Sequence, residues 1–428
     1  MTNFIFRSAQ ENVSRRFVQQ MLTKMCPNTG SFNRSPAALK CKCRLLQSTG
    51  AELRGARCKQ SKFRRESRAH DSDLSGPRTG IPFKLIERQG THEISLAELQ
   101  EWRSWARKLA RWHVKNFDSL DGSPNIFNLY REIDWLIEDN VDAVRYIDSA
   151  FFDSRLSETV LNEVKLLRSR LEQLSIRLAL SEMKTLWETR LINRVPLQYL
   201  TNTAHWRDLE LTVTRAVLIP RPETEMLIDF AIEALRELNQ SPKHANSFLP
   251  EGPWLDLGTG SGALAISLAK ELISVVSQPR VYAVDVSLEA AEIARHNVAQ
   301  HGLTNVVTVT TGSWFESFDE TLLFSGILSN PPYIPTSVLS TLQPEVFLHE
   351  PIIALDGGAN RGEAILISIC KDSIGRLLPG GLLALETHDL EQATLIAEYL
   401  TASKCFQDTR LRKDLSGIYR FVTARKQL

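Results

Sequence analysis

The sequence predicts an α/β fold: a doubly wound, largely parallel sheet preceded by an N-terminal helical bundle. Three observations carry this expectation. Beyond residue 205, short apolar runs alternate with amphipathic stretches, the pattern of strands joined by crossover helices. The loop Gly258-Thr259-Gly260-Ser261-Gly262 directly follows an apolar run of strand length. Residues 94–195 instead repeat apolar positions at spacings of three and four, with no alternation to suggest strands.

The 428 residues are too many for one ordinary domain and fit two folded units with extensions. The formal net charge of +1 hides an asymmetry. Residues 1–70 hold 15 Lys and Arg against 3 Asp and Glu, leaving a net of −11 on the remaining 358 residues. Residues 1–80 are therefore read as a basic, acid-poor organelle transit peptide and linker. Val13, Phe17 and Met21 beside Arg15 and Arg16 suit a short amphipathic helix there; a disordered basic tail touching RNA is the alternative. Gly76, Pro77, Gly80 and Pro82 punctuate the linker.

Cys26, Cys41, Cys43 and Cys58 lie in the leader, and only Cys370 and Cys405 lie in the body, so no disulfide framework is expected. The run from Lys40 to Arg44 lacks a second ligand pair at finger spacing, so no metal site is expected. No apolar run reaches membrane-spanning length.

In the helical region, Ser95 and Glu98 form a possible capping box. Leu96, Leu99, Trp102, Ala106 and Leu109 follow at helical spacing, and Asp121-Gly122-Ser123-Pro124 breaks the pattern. Leu129, Ile133, Leu136 and Ile137 mark a second helix, and a third is expected from about Leu156 to Arg190. Trp102, Trp105 and Trp112 are expected in the core of this bundle; a partner-binding face is the alternative. The bundle, residues 94–195, is expected to select the substrate, and residues 205–428 to carry the chemistry.

There, strands are expected at Trp254–Leu257, Val281–Val284, Val306–Val309, Gly326–Ser329 and Gly381–Leu385, with helices from Ala263 to Leu272 and over about 13 residues after Asp285. Glycines at the first strand-to-helix turn let a ligand approach the backbone. Asp285, ending the second strand 23 residues after Gly262, suits a ribose, because a carboxylate accepts from two hydroxyls. The spacing G-x-G-x-G differs from the dinucleotide pattern, although a dehydrogenase stays open on this loop alone. Asp256 through Gly262 resembles motif I of class I S-adenosylmethionine-dependent methyltransferases, whose core is a Rossmann-like doubly wound sheet.

Asn330-Pro331-Pro332-Tyr333 follows the fourth strand, where an open parallel sheet binds ligands. These residues suit transfer to a planar, weakly nucleophilic nitrogen. The Asn330 side-chain oxygen and the Pro331 carbonyl can accept two N–H bonds and hold that nitrogen toward a methyl sulfonium. Pro331 and Pro332 stiffen the loop, and Tyr333 offers a flat wall. Orientation and preorganised hydrogen bonds would carry the rate, with no metal. The tetrapeptide does not choose between an amide and the exocyclic amine of adenine.

A longer series of motifs does. Pro196 through Leu200, Leu218-Ile219-Pro220-Arg221-Pro222-Glu223-Thr224-Glu225, Asp256 through Gly262 and Ser329 through Ile334 closely resemble the HemK/PrmC family of release-factor glutamine methyltransferases. His349-Glu350-Pro351, Ala354 through Gly358, Pro379-Gly380-Gly381 and Asp414 through Gly417 extend the resemblance over about residues 190–425. It implies S-adenosylmethionine as cofactor and, as substrate, the glutamine of a Gly-Gly-Gln tripeptide in a class 1 peptide-chain release factor. It also implies that Asn330 to Tyr333 hold the glutamine amide, that Gly258, Thr259, Gly260, Ser261, Gly262 and Asp285 hold the cofactor, that Trp314 meets adenine, and that Arg221-Pro222 lies near the methionine end. The family usually has Asp before that tryptophan; Ser313 stands here and keeps a hydrogen-bonding group. The leader and the Trp-rich first helix look similar to plant-type members, which points to the plastid with the mitochondrion as alternative.

An adenine-N6 nucleic-acid methyltransferase would need a basic face on the folded part, and the body's −11 argues against broad phosphate contact. A non-catalytic cofactor-binding module would be expected to alter the tetrapeptide, which is intact. The expectation is thus a monomeric protein methyltransferase with a release-factor partner and neither nucleic-acid nor membrane partners.

Overall fold

The computed structural model describes residues 80–115, 122, 124–145, 173–240 and 250–428. The expected transit peptide, the short helix expected within it and residues 156–172 of the expected third helix lie outside the described residues. Pro77–Leu428 forms one compact unit. No described helix is long and apolar enough to cross a membrane.

A seven-stranded sheet organises the C-terminal part. Its strands are β6 (Trp254–Leu257), β7 (Val281–Asp285), β8 (Val307–Thr311), β9 (Phe324–Ser329), β12 (Leu377–Glu386), β13 (Phe406–Lys413) and β14 (Tyr419–Lys426), in the order β13-β14-β12-β9-β6-β7-β8. The block from β8 to β12 is parallel, and β14 runs antiparallel to both neighbours. The sheet is the expected doubly wound one, extended by the β13–β14 hairpin; two short pairs, β4 (Thr203–Trp206) with β5 (Leu209–Thr212) and β10 (Ile334–Pro335) with β11 (Asp356–Gly358), are separate from it.

Side chains alternate across the sheet. Trp254, Leu382 and Ala384 pack into one core with Leu227, Phe230 and Ala231 of the helix Glu225–Gln240 and Leu264 and Leu268 of the helix Ala263–Ile273. Leu255, Leu383 and Leu385 face the opposite core with Ile369 and Ile396 of the helices Ala364–Arg376 and Leu390–Ala402. Both faces of β9 are covered, and all six of its residues are buried. Successive crossovers run one way from β6 to β8 and the other way from β9 to β12, so the direction reverses between β6 and β9. Ligands bind at such a switch point, beyond the carboxyl ends of the strands.

The N-terminal region packs helix α1 (Leu96–Val114) against α2 (Ile126–Asn140) and α3 (Leu180–Ile192). Ser95 caps α1 reciprocally with Glu98: each side chain accepts from the other's backbone N–H. Trp102, Ile133, Leu136, Met183 and Trp187 form the core. Trp105 packs at its edge, whereas Trp112 is 60% exposed against the expectation that all three tryptophans are core.

The region is not purely helical as expected. β1 (His92–Ile94), β3 (Gln173–Ile176) and β2 (Val141–Arg145) make an antiparallel sheet, and β3 occupies part of the span assigned to the third helix. Leu174 and Ile176 are buried with Ile94 and Leu99, which stabilises extended backbone where the local Leu spacing alone suggests helix.

Ion pairs and hydrogen bonds join this region to the C-terminal part. Arg190 on α3 binds Glu132 of α2 through two nitrogens, at 2.6 and 2.9 Å, and reaches Glu345 at 2.9 Å. Arg194 binds both oxygens of Glu345, at 2.7 and 2.6 Å. His205 meets Asp139 at 3.1 Å, and His349 meets the Asn193 carbonyl at 2.9 Å.

Candidate active site

The carboxyl ends of β6, β7, β8 and β9 surround a cavity of about 560 Å³, within the ordinary range for small-molecule sites. Gly258, Thr259, Gly260, Ser261, Asp285, Trp314, Arg221, Asn330 and Pro332 line it. Gly262, Pro222, Pro331 and Tyr333 do not lie on its wall. Ser313 does, together with Ile352 and Ile353 from the segment after Pro351.

The glycine loop turns back over β7. Gly258, Gly260 and Gly262 have φ of +72°, +54° and +84°, a left-handed conformation that side chains disfavour. Gly258 and Thr259 donate to the Val284 carbonyl, both at 2.9 Å. Gly262 instead serves packing: a Cβ there would sit 3.4 Å from Ala294. From behind, buried Asn297 donates to the Ser261 and Thr212 carbonyls and accepts from the Thr212 N–H, tying the loop to the strand Leu209–Thr212.

Two carboxylates flank the loop. Asp285 accepts from the Gly260 N–H at 2.8 Å and the Ser287 N–H at 3.0 Å. Burial pushes its pKa up, and these backbone donors pull against that. Asp256 is fully buried behind the loop. Its Oδ2 accepts from the Thr259 hydroxyl at 2.6 Å and the Ala265 N–H at 3.1 Å, and its Oδ1 has no partner among the described residues. Burial lifts its carboxyl to about 7. Trp314 holds a left-handed backbone with φ of +43° and packs against the second core beside the loop.

Arg221 is held by buried Glu350 at 2.7 Å. Its carbonyl accepts from the Trp206 indole, also at 2.7 Å, which fixes the segment entering the cavity.

Asn330 follows the last residue of β9 and stands on the cavity wall. Its Nδ2 donates to Thr224 Oγ1 at 3.1 Å. Thr224 in turn donates to Glu386 Oε2 at 2.7 Å, and the Tyr333 hydroxyl donates to Glu386 Oε1 at 3.0 Å. Tyr333 therefore anchors the loop from behind instead of walling the cavity. Its carbonyl accepts from buried Gln392 at 2.9 Å, and its backbone lies so close to Gly357 that a Cβ there would meet it at 2.7 Å.

Thr224 and Glu386 were not singled out for function from the sequence. Glu386 ends β12, so the strand-end rule that selects Asp285 and Asn330 was the available signal. Among the described residues, no group of three or more His, Cys, Asp or Glu could hold a metal ion.

The arrangement offers a backbone cradle, a carboxylate on the cavity wall, an aromatic side wall and a fixed amide. Residues 232–356 match the methyltransferase small domain family. The chain is 42% identical over 253 residues to the release factor glutamine methyltransferase of Thermosynechococcus vestitus, covering 59% of this chain and 81% of that one. It is 40% identical over 241 residues to the enzyme of the same name from Gloeobacter violaceus, covering 56% and 78%. With the strand order and the site geometry, these likenesses identify the fold as that of class I methyltransferases, and the chain belongs to the release factor glutamine methyltransferase family.

Proposed function

We propose that this protein transfers the methyl group of S-adenosylmethionine to the side-chain amide nitrogen of the glutamine in the Gly-Gly-Gln motif of a class 1 peptide-chain release factor. The observation that carries the reading is Asn330: its NH2 group is committed to Thr224, and its carbonyl oxygen has no partner among the described residues, at the wall of the cavity that the glycine loop borders.

The donor set fits the cofactor. The outer lone pairs of Asp285 suit two ribose hydroxyls, Trp314 and Ser313 suit an adenine, and the exposed backbone of Gly258 and Gly260 allows close approach. Arg221 borders the cavity with Thr224 and Asn330, the side at which the methionine end would lie. When bound, S-adenosylmethionine supplies an electrophilic methyl on a sulfonium.

The chain's own residues do the rest. The Asn330 oxygen accepts one N–H of the substrate amide; the family resemblance assigns the other to the carbonyl of Pro331, the next residue, whose ring is off the cavity wall. The nitrogen is thereby held with one face free for attack, and orientation supplies most of the acceleration. Among the described residues no ionisable side chain bonds Asn330 directly, so the extra proton is assigned to solvent.

The N-terminal helices are read as the substrate-selecting region. The basic leader is read as an organelle address, plastid first and mitochondrion as alternative, which places the reaction in organellar translation termination. Incubation of the purified chain with labelled cofactor and recombinant organellar release factors tests the reading. Mass spectrometry should find the label on the glutamine of Gly-Gly-Gln; label on another residue, or none, overturns it.

A further inference from the structure

The hydrogen bonds behind Asn330 determine which end of its amide faces the cavity. A threonine hydroxyl has one hydrogen to give, and an ionised carboxylate offers only acceptors. Thr224 therefore gives its hydrogen to Glu386, at 2.7 Å. Its oxygen then has only lone pairs left, so the atom of Asn330 that meets it at 3.1 Å must be the NH2 nitrogen. The carbonyl oxygen, on the other branch of the same planar amide, is left for the substrate. Tyr333 donates to the second oxygen of Glu386, so each carboxylate oxygen has its own donor. Thr224 is 5% and Glu386 2% exposed, so water does not compete for these bonds.

We propose that Glu386, acting through Thr224, is a positioning residue that turns the Asn330 carbonyl toward the substrate amide. The proposal rests on the reading of Asn330 given above. Without the relay, the Asn330 amide can turn over at little steric cost and present NH2 to the substrate's NH2, donor against donor. The substrate amide then settles with its carbonyl toward Asn330, and its nitrogen leaves the line of attack.

Protonation of Glu386 breaks the relay by a second route. A carboxylic acid must give its own proton away. If it gave that proton to Tyr333, the phenol's hydrogen would lack a second acceptor among the described residues. Given to Thr224 it displaces that hydroxyl's hydrogen toward Asn330, which turns its oxygen inward to accept. Burial lifts the Glu386 carboxyl to about 7; Thr224 and Tyr333 pull it down, Glu223 pushes it up and Arg420 pulls it down. Arg221 lies near enough to Tyr333 to act on its ionisation, and the His388 ring lies 6.2 Å from that of Tyr333. The productive orientation is thus present above the Glu386 pKa and lost below it.

The test uses the full chain, labelled S-adenosylmethionine and a recombinant release factor, with kcat, KM and cofactor affinity measured separately. Thr224→Val keeps the shape and removes the hydroxyl. It should lower kcat by roughly tenfold or more, leaving the cofactor dissociation constant within about twofold. Thr224→Ser should restore most of the loss. The wild-type kcat should rise with pH through neutrality, and Glu386→Gln, which cannot ionise, should lack that limb. Full turnover by Thr224→Val beside an inactive Asn330→Ala overturns the relay alone. Full turnover by Asn330→Ala overturns the reading of Asn330 and the relay with it. Should Thr224→Val lose cofactor binding through damage to the fold, the pH profile decides: an acidic limb that survives in Glu386→Gln overturns the proposal.

Discussion

Asp285 serves the loop and the cavity at once, and substitution separates the two roles. Its oxygens accept from Gly260 and Ser287 at 2.8 and 3.0 Å, which uses one lone pair on each. The remaining pairs are available to two neighbouring hydroxyls. A hydrogen bond to a charged group contributes about 1.5–3 kcal/mol. Two would sum to more, but water enters the space and the loop relaxes when the carboxylate goes. Asp285→Ala should therefore weaken S-adenosylmethionine binding by about 3 kcal/mol, roughly 150-fold in dissociation constant. Asp285→Asn keeps the shape but must point its NH2 at either the Gly260 or the Ser287 N–H, so it should fall between alanine and wild type. Calorimetric titration of the three proteins measures this, with thermal melting of the ligand-free forms as the check on folding. A folded Asp285→Ala protein with unchanged affinity would refute both the ribose assignment and the lone-pair argument.

Asn330→Ala should abolish methyl transfer while cofactor affinity stays near wild type, since misplacing the nitrogen by about 1 Å costs roughly a hundredfold. Asn330→Asp, which keeps an acceptor, should retain more activity than alanine; single-turnover assays on a release factor compare them, and full turnover in the alanine variant would reduce the tetrapeptide to a structural loop. Asp256 bears on stability. Its carboxyl sits at about 7 in the fold against 3.8 ordinarily, so the folded state holds the proton more tightly and stability falls as pH rises from about 3.8 to about 7. In Asp256→Asn the amide oxygen can accept from both Thr259 and Ala265, so the variant should melt higher than wild type at alkaline pH and lose that slope; melts across this range showing an unchanged slope count against the argument. Removal of residues 1–80 should leave a folded, active enzyme in vitro that no longer reaches its organelle, and loss of activity in the purified truncation would make the leader structural.

What could be read from the sequence was what is local. The glycine loop, Asp285 and Asn330 each sit at the end of a short apolar run, and one rule about strand ends selects them. β6 and the helix after it are contiguous patterns of one period each. The three-stranded sheet was missed because β1 pairs with β3 across about eighty residues of chain, and strands of three to five residues show too few alternations to stand out among leucines. The β13–β14 hairpin was missed for another reason: β13, at the sheet edge, buries only Phe406 fully and alternates among charged residues, so it resembles surface. Thr224 and Glu386 lie 162 residues apart in sequence, and no local pattern joins them. Tyr333 lies in the loop that follows β9, but residue type alone could not say that its hydroxyl would be spent on Glu386 rather than on the cavity.

The paired arginines at Glu345 carry a mechanical consequence. Arg190 and Glu345 are almost wholly removed from water, and deleting one partner of such a pair strands the other's charge at a cost of about 3–5 kcal/mol. The N-terminal helices are thereby clamped to the short helix Pro344–Phe347, which follows the tetrapeptide by a dozen residues. A hinge at that seam would have to strip several charge pairs simultaneously. The seam is riveted: it opens by stripping several buried charges together or not at all.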